Sequence, residues 1–140
     1  MSSSGKVNKD VPKPTEAELE LLRILWERGP DTVGAVHKAR EGQGTGYTTT
    51  LKLLQRMTEK GLVLRDESQH AHVYRAAITA EKTQRQLVRD LLQRAFGGSP
   101  LQLVVQALSE KRASAEDLSA IRQLLDEMEQ KEDTNRKKTP

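Results

Sequence analysis

The sequence predicts a mainly α-helical protein in which three short helices precede a β-hairpin and more helices follow. Apolar residues recur at spacings of three and four in several separate segments, which is typical of amphipathic helices. Two β-prone runs, LVLR (62–65) and HVYRA (72–76), lie in the middle of the chain. With 140 residues and 35% apolar content, the chain can form one small domain plus an extension.

The first predicted helix begins at a capping box, because Thr15 is followed three residues later by Glu18. Gly29-Pro30 ends this helix. Its spacing predicts one buried stripe formed by Ala17, Leu21, Leu22, Leu25 and Trp26.

Two more helices are expected before the hairpin. Asp31 or Thr32 can cap a second short helix, whose inner face is formed by Val33, Val36 and Ala39. The third helix runs from about Thr48 to Lys60 and ends at Gly61, with an inner face formed by Thr50, Leu53, Leu54 and Met57. The glycine-rich EGQGTG (41–46) before it lacks the preceding strand and the Gly-Lys-Ser/Thr ending of a phosphate-binding loop, so we interpret it as a flexible turn.

The runs at 62–65 and 72–76 are joined by DESQHA, which indicates a hairpin with a polar tip. Three helices followed by a hairpin is the order of a winged helix-turn-helix domain. We therefore expect a disordered arm at 1–13, a winged-helix domain at 14–78, a helical region at 79–130 and a disordered tail at 131–140.

The helical region carries more apolar surface than it can bury by itself, so it predicts homodimerisation. The alternative is that its helices fold back on the winged domain. The residues expected at a dimer interface are Leu87, Leu91, Leu92, Phe96, Leu101, Val104, Val105, Leu108, Leu118, Ile121, Leu125 and Met128. The turn GGSP (97–100) breaks the first of these helices, and Ser114 with Asp117 caps the last one.

Composition excludes several classes of function. The absence of cysteine excludes disulfides and thiolate metal sites, and the chain has no apolar run long enough for membrane insertion. MSSSGKVNKDVPKP has no apolar stretch typical of a signal peptide, so we expect a cytoplasmic protein. His70 and His72 have no third ligand nearby, so we expect no metal and no cofactor. Only three histidines occur, and no catalytic set can be nominated, so we expect no enzyme activity.

Charge is unevenly distributed, although the formal net charge is only +3. Residues 47–65 carry a balance of +3, whereas residues 116–132 carry −4. The first segment suits phosphate and the second would be repelled by it. Solvated helix faces are the alternative explanation.

The third helix is the predicted reading helix of the winged domain. Its first turn contains three residues with hydrogen-bonding side chains, Tyr47, Thr48 and Thr49. Such residues are expected where a helix enters the major groove. Tyr47 either packs its ring inward or binds a phosphate through its hydroxyl. The full set of predicted DNA-binding residues is Tyr47, Thr48, Thr49, Lys52, Gln55 and Arg56 on the helix and His70, His72 and Arg75 on the hairpin.

Four segments in this order and spacing resemble the penicillinase-repressor family of bacterial transcription regulators, the BlaI/MecI group. They are WERGPDTVGAVHKA, GYTTTLKLLQRMTEKGLV, HVYRA and RAFGGSPLQLVVQALSE, and the resemblance covers residues 14–130. It implies a repressor that occupies double-stranded operator DNA with dyad symmetry as a homodimer, with Thr48, Thr49 and Lys52 reading bases and Arg56 in support.

The resemblance also implies how repression is relieved. Relatives are often paired with a membrane-embedded zinc peptidase sensor, and induction cuts the repressor within its dimerisation helices. The corresponding position lies near Gln106-Ala107, where staphylococcal members have Asn-Phe. A copper-responsive branch carries a cysteine cluster in its tail, which this chain lacks. The rival hypothesis is a winged-helix module that binds protein and has no specific affinity for DNA.

Overall fold

The computed structural model describes residues 11–40, 44, 46–68 and 70–138. Within these ranges the chain forms six helices and three strands, and the predicted order of three helices, a hairpin and more helices is confirmed. The elements are α1 (Glu16–Arg28), β1 (Asp31–Thr32), α2 (Val33–Ala39), α3 (Tyr47–Lys60), β2 (Val63–Asp66), β3 (Val73–Ala76), α4 (Ala80–Ala95), α5 (Pro100–Glu110) and α6 (Ala115–Lys138).

The predicted helix ends are confirmed by their capping contacts. The Thr15 hydroxyl accepts from the Glu18 amide at 3.2 Å, and the Glu18 carboxylate accepts from the Thr15 amide at 2.9 Å, which completes the capping box. Gly29 ends α1 with a backbone bond to Leu25. Gly61 ends α3 at φ +85°, a left-handed conformation that side chains rarely adopt.

Strand β1 was not predicted, because a two-residue strand carries no periodicity and its residues looked like caps alone. Thr32 serves both purposes: its hydroxyl accepts from the Ala35 amide at 3.2 Å, and the residue pairs with Val73 in the sheet. The sheet is antiparallel in the order β1-β3-β2. β3 is therefore the central strand, with Arg65 of β2 opposite Tyr74.

One hydrophobic core joins α1, α2, α3 and the sheet. Residues from the predicted inner faces of all three helices are buried in it, while four of the predicted residues are only half-buried: Ala17, Trp26, Ala39 and Leu53. The core residues are Leu21, Leu22, Leu25, Val33, Val36, Leu54, Met57, Leu62, Val63 and Tyr74.

The compact unit that contains this core extends to Leu91, beyond the boundary predicted at residue 78. The reason is that α4 begins by packing against it: Thr83 is buried, and the Trp26 indole donates to the carbonyl of Ile78 just before α4 at 2.9 Å. Of the arm expected to be disordered at 1–13, residues 1–10 lie outside the described residues, and the expectation is wrong for Val11 and Lys13. Val11 packs against the core and accepts from Gln86 at 3.1 Å, while Lys13 forms a 2.8 Å ion pair with Asp90.

The described residues from Leu92 to Lys138 belong to a second unit. The Ser99 and Ser114 hydroxyls cap α5 and α6 by accepting from the amides of Gln102 and Asp117 at 3.2 and 3.0 Å. α6 continues to Lys138, although a disordered tail was expected from residue 131. Strong helix formers and acidic-to-basic pairs four residues apart favour this continuation; the pairs are Glu127 and Lys131, Glu132 and Arg136, and Asp133 and Lys137.

Within the described ranges, no helix combines the length and apolarity needed to span a membrane. The same residues contain no cluster of three or more histidine and acidic side chains suited to a metal ion.

Candidate nucleic-acid interface

Helix α3 presents the predicted DNA-binding side chains to solvent. We call this set the reading face: Tyr47, Thr48, Thr49, Lys52, Gln55 and Arg56, all of which are exposed. Thr50, Leu54 and Met57 point the opposite way and are buried. The amphipathic spacing of α3 thus separates a core-facing side from a polar side with a net positive charge.

Among the residues that the structure describes, no side chain caps the N-terminal end of α3. Gly46 occupies the cap position and supplies no side-chain bond, while its carbonyl accepts from the Thr49 amide at 3.1 Å. The first amides of any helix lack intrahelical acceptors, so this end suits an anion. Residues 41–43 and 45 of the predicted flexible turn lie outside the described residues.

Tyr47 contacts the second helix through its ring. The rings of Tyr47 and His37 meet edge to face, with centroids 6.0 Å apart and an interplanar angle of 78°. Tyr47 nevertheless remains 51% exposed, so half of its surface is open to a ligand. The two roles predicted for Tyr47, packing of the ring and binding of a phosphate through the hydroxyl, are therefore compatible.

A chain of polar side chains holds the first turn of α3 to α1 and α2. The buried Thr50 hydroxyl accepts from Arg40 Nη1 at 2.9 Å and lies 2.9 Å from His37 Nδ1. Arg40 Nη2 reaches the Glu20 carboxylate at 3.1 Å. We call these four residues the polar bridge. Thr50 was predicted to be a core residue by its methyl group, and it also fixes α3 through its hydroxyl.

An ion pair holds the last turn of α3 to α1. Lys60 Nζ lies 3.0 and 2.8 Å from the two oxygens of Glu18, a residue with no solvent exposure. Burial raises the pKa of the Glu18 carboxyl, but the hydrogen bond and charge of Lys60 together with the bonds to Thr15 outweigh it. The pKa of Glu18 therefore lies below its usual value.

The last turn of α3 is thus tied directly to α1 by Lys60, and its first turn is linked to α1 through Arg40 at the end of α2. A helix fixed at both ends keeps its outer side chains in one register relative to the rest of the domain. Such fixation is what a recognition element needs, because a positioned side chain loses little freedom on binding.

The hairpin places its predicted contact residues at the surface, since His70, His72 and Arg75 are all exposed. Its charges are partly compensated within the hairpin itself. Arg65 pairs with Glu67, and the pKa of Asp66 is lowered by hydrogen bonds from Ser68 and by the charge of Arg75. The hairpin therefore attracts phosphate less than its count of basic residues suggests.

The second unit leaves its apolar residues uncovered. None of its described residues is buried. Of the residues predicted at a dimer interface across both units, Leu87, Leu92, Phe96 and Ile121 are half-buried. The others are between 37% and 72% exposed: Leu91, Leu101, Val104, Val105, Leu108, Leu118, Leu125 and Met128.

A three-helix core flanked by a hairpin, with a polar face on its third helix, defines the winged-helix class of transcription regulators. The chain belongs to the penicillinase repressor family, whose sequence profile matches residues 14–127. This confirms the resemblance found in the sequence and places the chain among transcriptional regulators rather than enzymes.

Two sequence relatives agree with this assignment. A Mycobacterium tuberculosis (strain H37Rv) protein named transcriptional regulator BlaI is 31% identical over 116 residues, which is 81% of this chain and 83% of the relative. The penicillinase repressor of Bacillus licheniformis is 24% identical over 120 residues, covering 85% and 94% of the two chains. A solution structure of monomeric Bacillus licheniformis BlaI with the blaP half-operator has a TM-score of 0.45 at 21% identity, covering 51% of this chain and 88% of that one.

The sequence interpretation missed the residues that hold the reading helix in place. Glu18 was recognised only as a capping residue, although it shares a helical stripe with Leu21, Leu22 and Leu25. A carboxylate on an apolar stripe is a signal for a buried partner. Arg40 follows Val33 and Val36 at helical spacing and carries the same signal.

Proposed function

We propose that this protein is a sequence-specific DNA-binding repressor that acts as a homodimer on an operator with dyad symmetry. The observation that carries the proposal is the pairing of an exposed reading face with an inner face fixed by the polar bridge and by Lys60. The family assignment and the names of the relatives support it.

In this proposal the position of each residue in α3 determines whether it contacts bases or phosphates. Thr48, Thr49 and Lys52 lie in the first turns and contact base edges in the major groove, where short hydroxyl side chains allow close approach. Tyr47, Gln55 and Arg56 contact phosphates, as do the amides at the start of the helix. His70, His72 and Arg75 contact the neighbouring minor groove or backbone.

The proposal is tested by titrating DNA from upstream of the protein's own gene, with a scrambled duplex of equal length and composition as the competitor. Thr49→Ala should reduce the ratio of specific to scrambled affinity, because a base contact is lost. Lys52→Ala should reduce the same ratio. Arg56→Ala should weaken binding to both duplexes and lower the slope of log affinity against log salt by about one, because it removes a phosphate contact.

Lys82→Ala is the matched control, because Lys82 is an exposed lysine on α4 outside the reading face. It should change neither the ratio nor the affinity. Equal affinity of the wild type for both duplexes would contradict sequence-specific binding and favour the protein-interaction module instead.

The proposed homodimer rests on the uncovered apolar residues of the second unit. Soluble monomers rarely expose so many large apolar side chains in one region, and a second copy of the same region is a self-complementary cover. A single winged-helix module also buries little DNA surface, whereas two linked modules bind with a high effective concentration.

Leu125→Lys tests this dimer. Leu125 is 53% exposed, so the substitution should leave the folded monomer intact while placing a charge at the proposed interface. We expect sedimentation analysis to show a monomer and operator affinity to fall steeply. Gln123→Lys adds the same charge at an exposed polar position of α6 and should leave the dimer unchanged. A monomeric wild type that still binds tightly would contradict the proposal.

Release by proteolysis is the remaining part of the proposal. Gln106 and Ala107 lie in the middle of α5 and are exposed. Local unfolding of that helix would therefore make the peptide bond between them accessible to a protease. A cut there would separate the DNA-binding unit from α6. Mass spectrometry of cells that also express a neighbouring membrane zinc peptidase should detect a fragment ending at Gln106, absent with an inactivated peptidase. Relief of repression with an intact chain would contradict this route.

A further inference from the structure

We propose that a cleft between α1 and α4 binds a small, electrically neutral aromatic molecule that carries one hydrogen-bonding group. The cleft has a volume of about 350 Å³ and lies wholly within the first unit. Sites for small molecules begin near this size, so the cleft suits a ligand of one or two rings.

Thr83 is the reason why the ligand should carry a hydrogen-bonding group. This residue lines the cleft and is only 1% exposed, yet its hydroxyl has no hydrogen-bond partner among the described residues. A buried hydroxyl without a partner is costly and uncommon in folded proteins. A ligand bearing a hydroxyl or carbonyl group would supply the missing bond.

The aromatic requirement comes from the walls. Leu19, Trp26, Ala80 and Leu87 supply apolar surface, and Trp26 is half-buried. The indole nitrogen of Trp26 already donates to Ile78 at 2.9 Å. Trp26 therefore offers the cleft a ring whose polar atom is satisfied, and aromatic rings pack favourably against it.

The preference for a neutral ligand follows from the two charged residues that line the cleft. Arg23 and Glu27 both line the cleft, one helical turn apart, and their formal charges cancel. An anion would be attracted by one and repelled by the other, and its transfer from water into an apolar cleft would be unfavourable. Neutral molecules avoid this desolvation.

Trp26 is the only tryptophan of the chain, so its indole resonance reports on the cleft without assignment. We would titrate the full-length protein with phenol, toluene and benzoate and follow the indole N–H signal by two-dimensional NMR. Phenol should shift it saturably at the lowest concentration, toluene should bind more weakly because it lacks the hydroxyl, and benzoate should bind weakest because it is charged.

Two variants separate this site from non-specific contact. Thr83→Val keeps the shape and removes the hydroxyl, so phenol affinity should fall about fivefold, while toluene affinity stays the same or rises. Ala80→Leu fills the cleft and should abolish both responses, with an unchanged thermal unfolding profile showing that the protein is folded. An Ala80→Leu variant that unfolds at lower temperature would be replaced by Ala80→Val.

The proposal is overturned if no probe gives a saturable shift, or if Thr83→Val weakens phenol and toluene equally. It is also overturned if the wild type fails to respond while the Leu125→Lys monomer does, because a second copy of the chain would then occupy the cleft. None of these outcomes depends on DNA binding, so the site stands or falls separately from the proposed function.

Discussion

Replacing Lys60 by methionine should destabilise the protein in a way that depends on pH. The variant leaves Glu18, which has no solvent exposure, without its cationic partner. Breaking a fully buried ion pair by removing one member costs about 3–5 kcal/mol. The Lys60 side chain is 28% exposed, so water already screens part of the pair, and we expect a loss of about 2 kcal/mol near neutral pH.

The pH dependence follows from the lowered pKa of Glu18. In the wild type the pKa of Glu18 is lower in the folded state than in the unfolded state. The carboxyl therefore stabilises the fold at pH values above its unfolded-state pKa. This stabilisation is lost as the pH falls through its folded-state pKa. Without Lys60, burial becomes the dominant influence and raises the pKa. The variant can then bury a neutral carboxyl in acid, and the difference from wild type should shrink.

The assay is urea unfolding at about pH 7 and about pH 4, at one protein concentration, followed by the fluorescence of Trp26. Lys82→Met, which removes an exposed lysine on α4, is the control and should change stability little at either pH. A loss of the same size at both pH values would refute the assignment of the effect to Glu18.

Two further predictions test how α3 is held, and a third concerns α2. Thr50→Val keeps the buried shape but leaves Arg40 and His37 without the hydroxyl of the polar bridge. It should lower the free energy of unfolding in urea by about 2 kcal/mol. Thr48→Val, at the exposed reading face, is the control and should lower it little. Gly61→Ala forces a side chain to φ +85° and should lower stability by about 1 kcal/mol in thermal unfolding. Gly34→Ala in α2 should raise stability by up to about 1 kcal/mol, because an added Cβ meets no atom within 4 Å.

The order of elements was predictable because it depends on local signals. The capping box at Thr15 and Glu18, the stop at Gly61 and the spacing of Leu54 and Met57 are all visible within a few residues of one another. The exposure of the reading face followed from the same spacing, since a helix that buries one side must show the other.

What the sequence did not reveal depends on partners far along the chain. Glu18 and Lys60 are 42 residues apart, and β1 exists because Thr32 meets Val73. The extension of the first unit to Leu91 depends on α4 packing beside Trp26, which no local pattern encodes. These long-range contacts determine how firmly α3 is held, while local periodicity determines which residues it displays.

A footprint of the full-length protein on the DNA upstream of its own gene tests the central claim most directly. The account predicts two protected half-sites of inverted sequence whose centres lie a whole number of helical turns, each about 10 base pairs, apart on one face of the duplex. Leu125→Lys should lose both half-sites together, and Gln123→Lys neither. Protection of a single isolated segment would contradict binding as a homodimer. Uniform protection of any duplex would contradict recognition of a DNA sequence by α3.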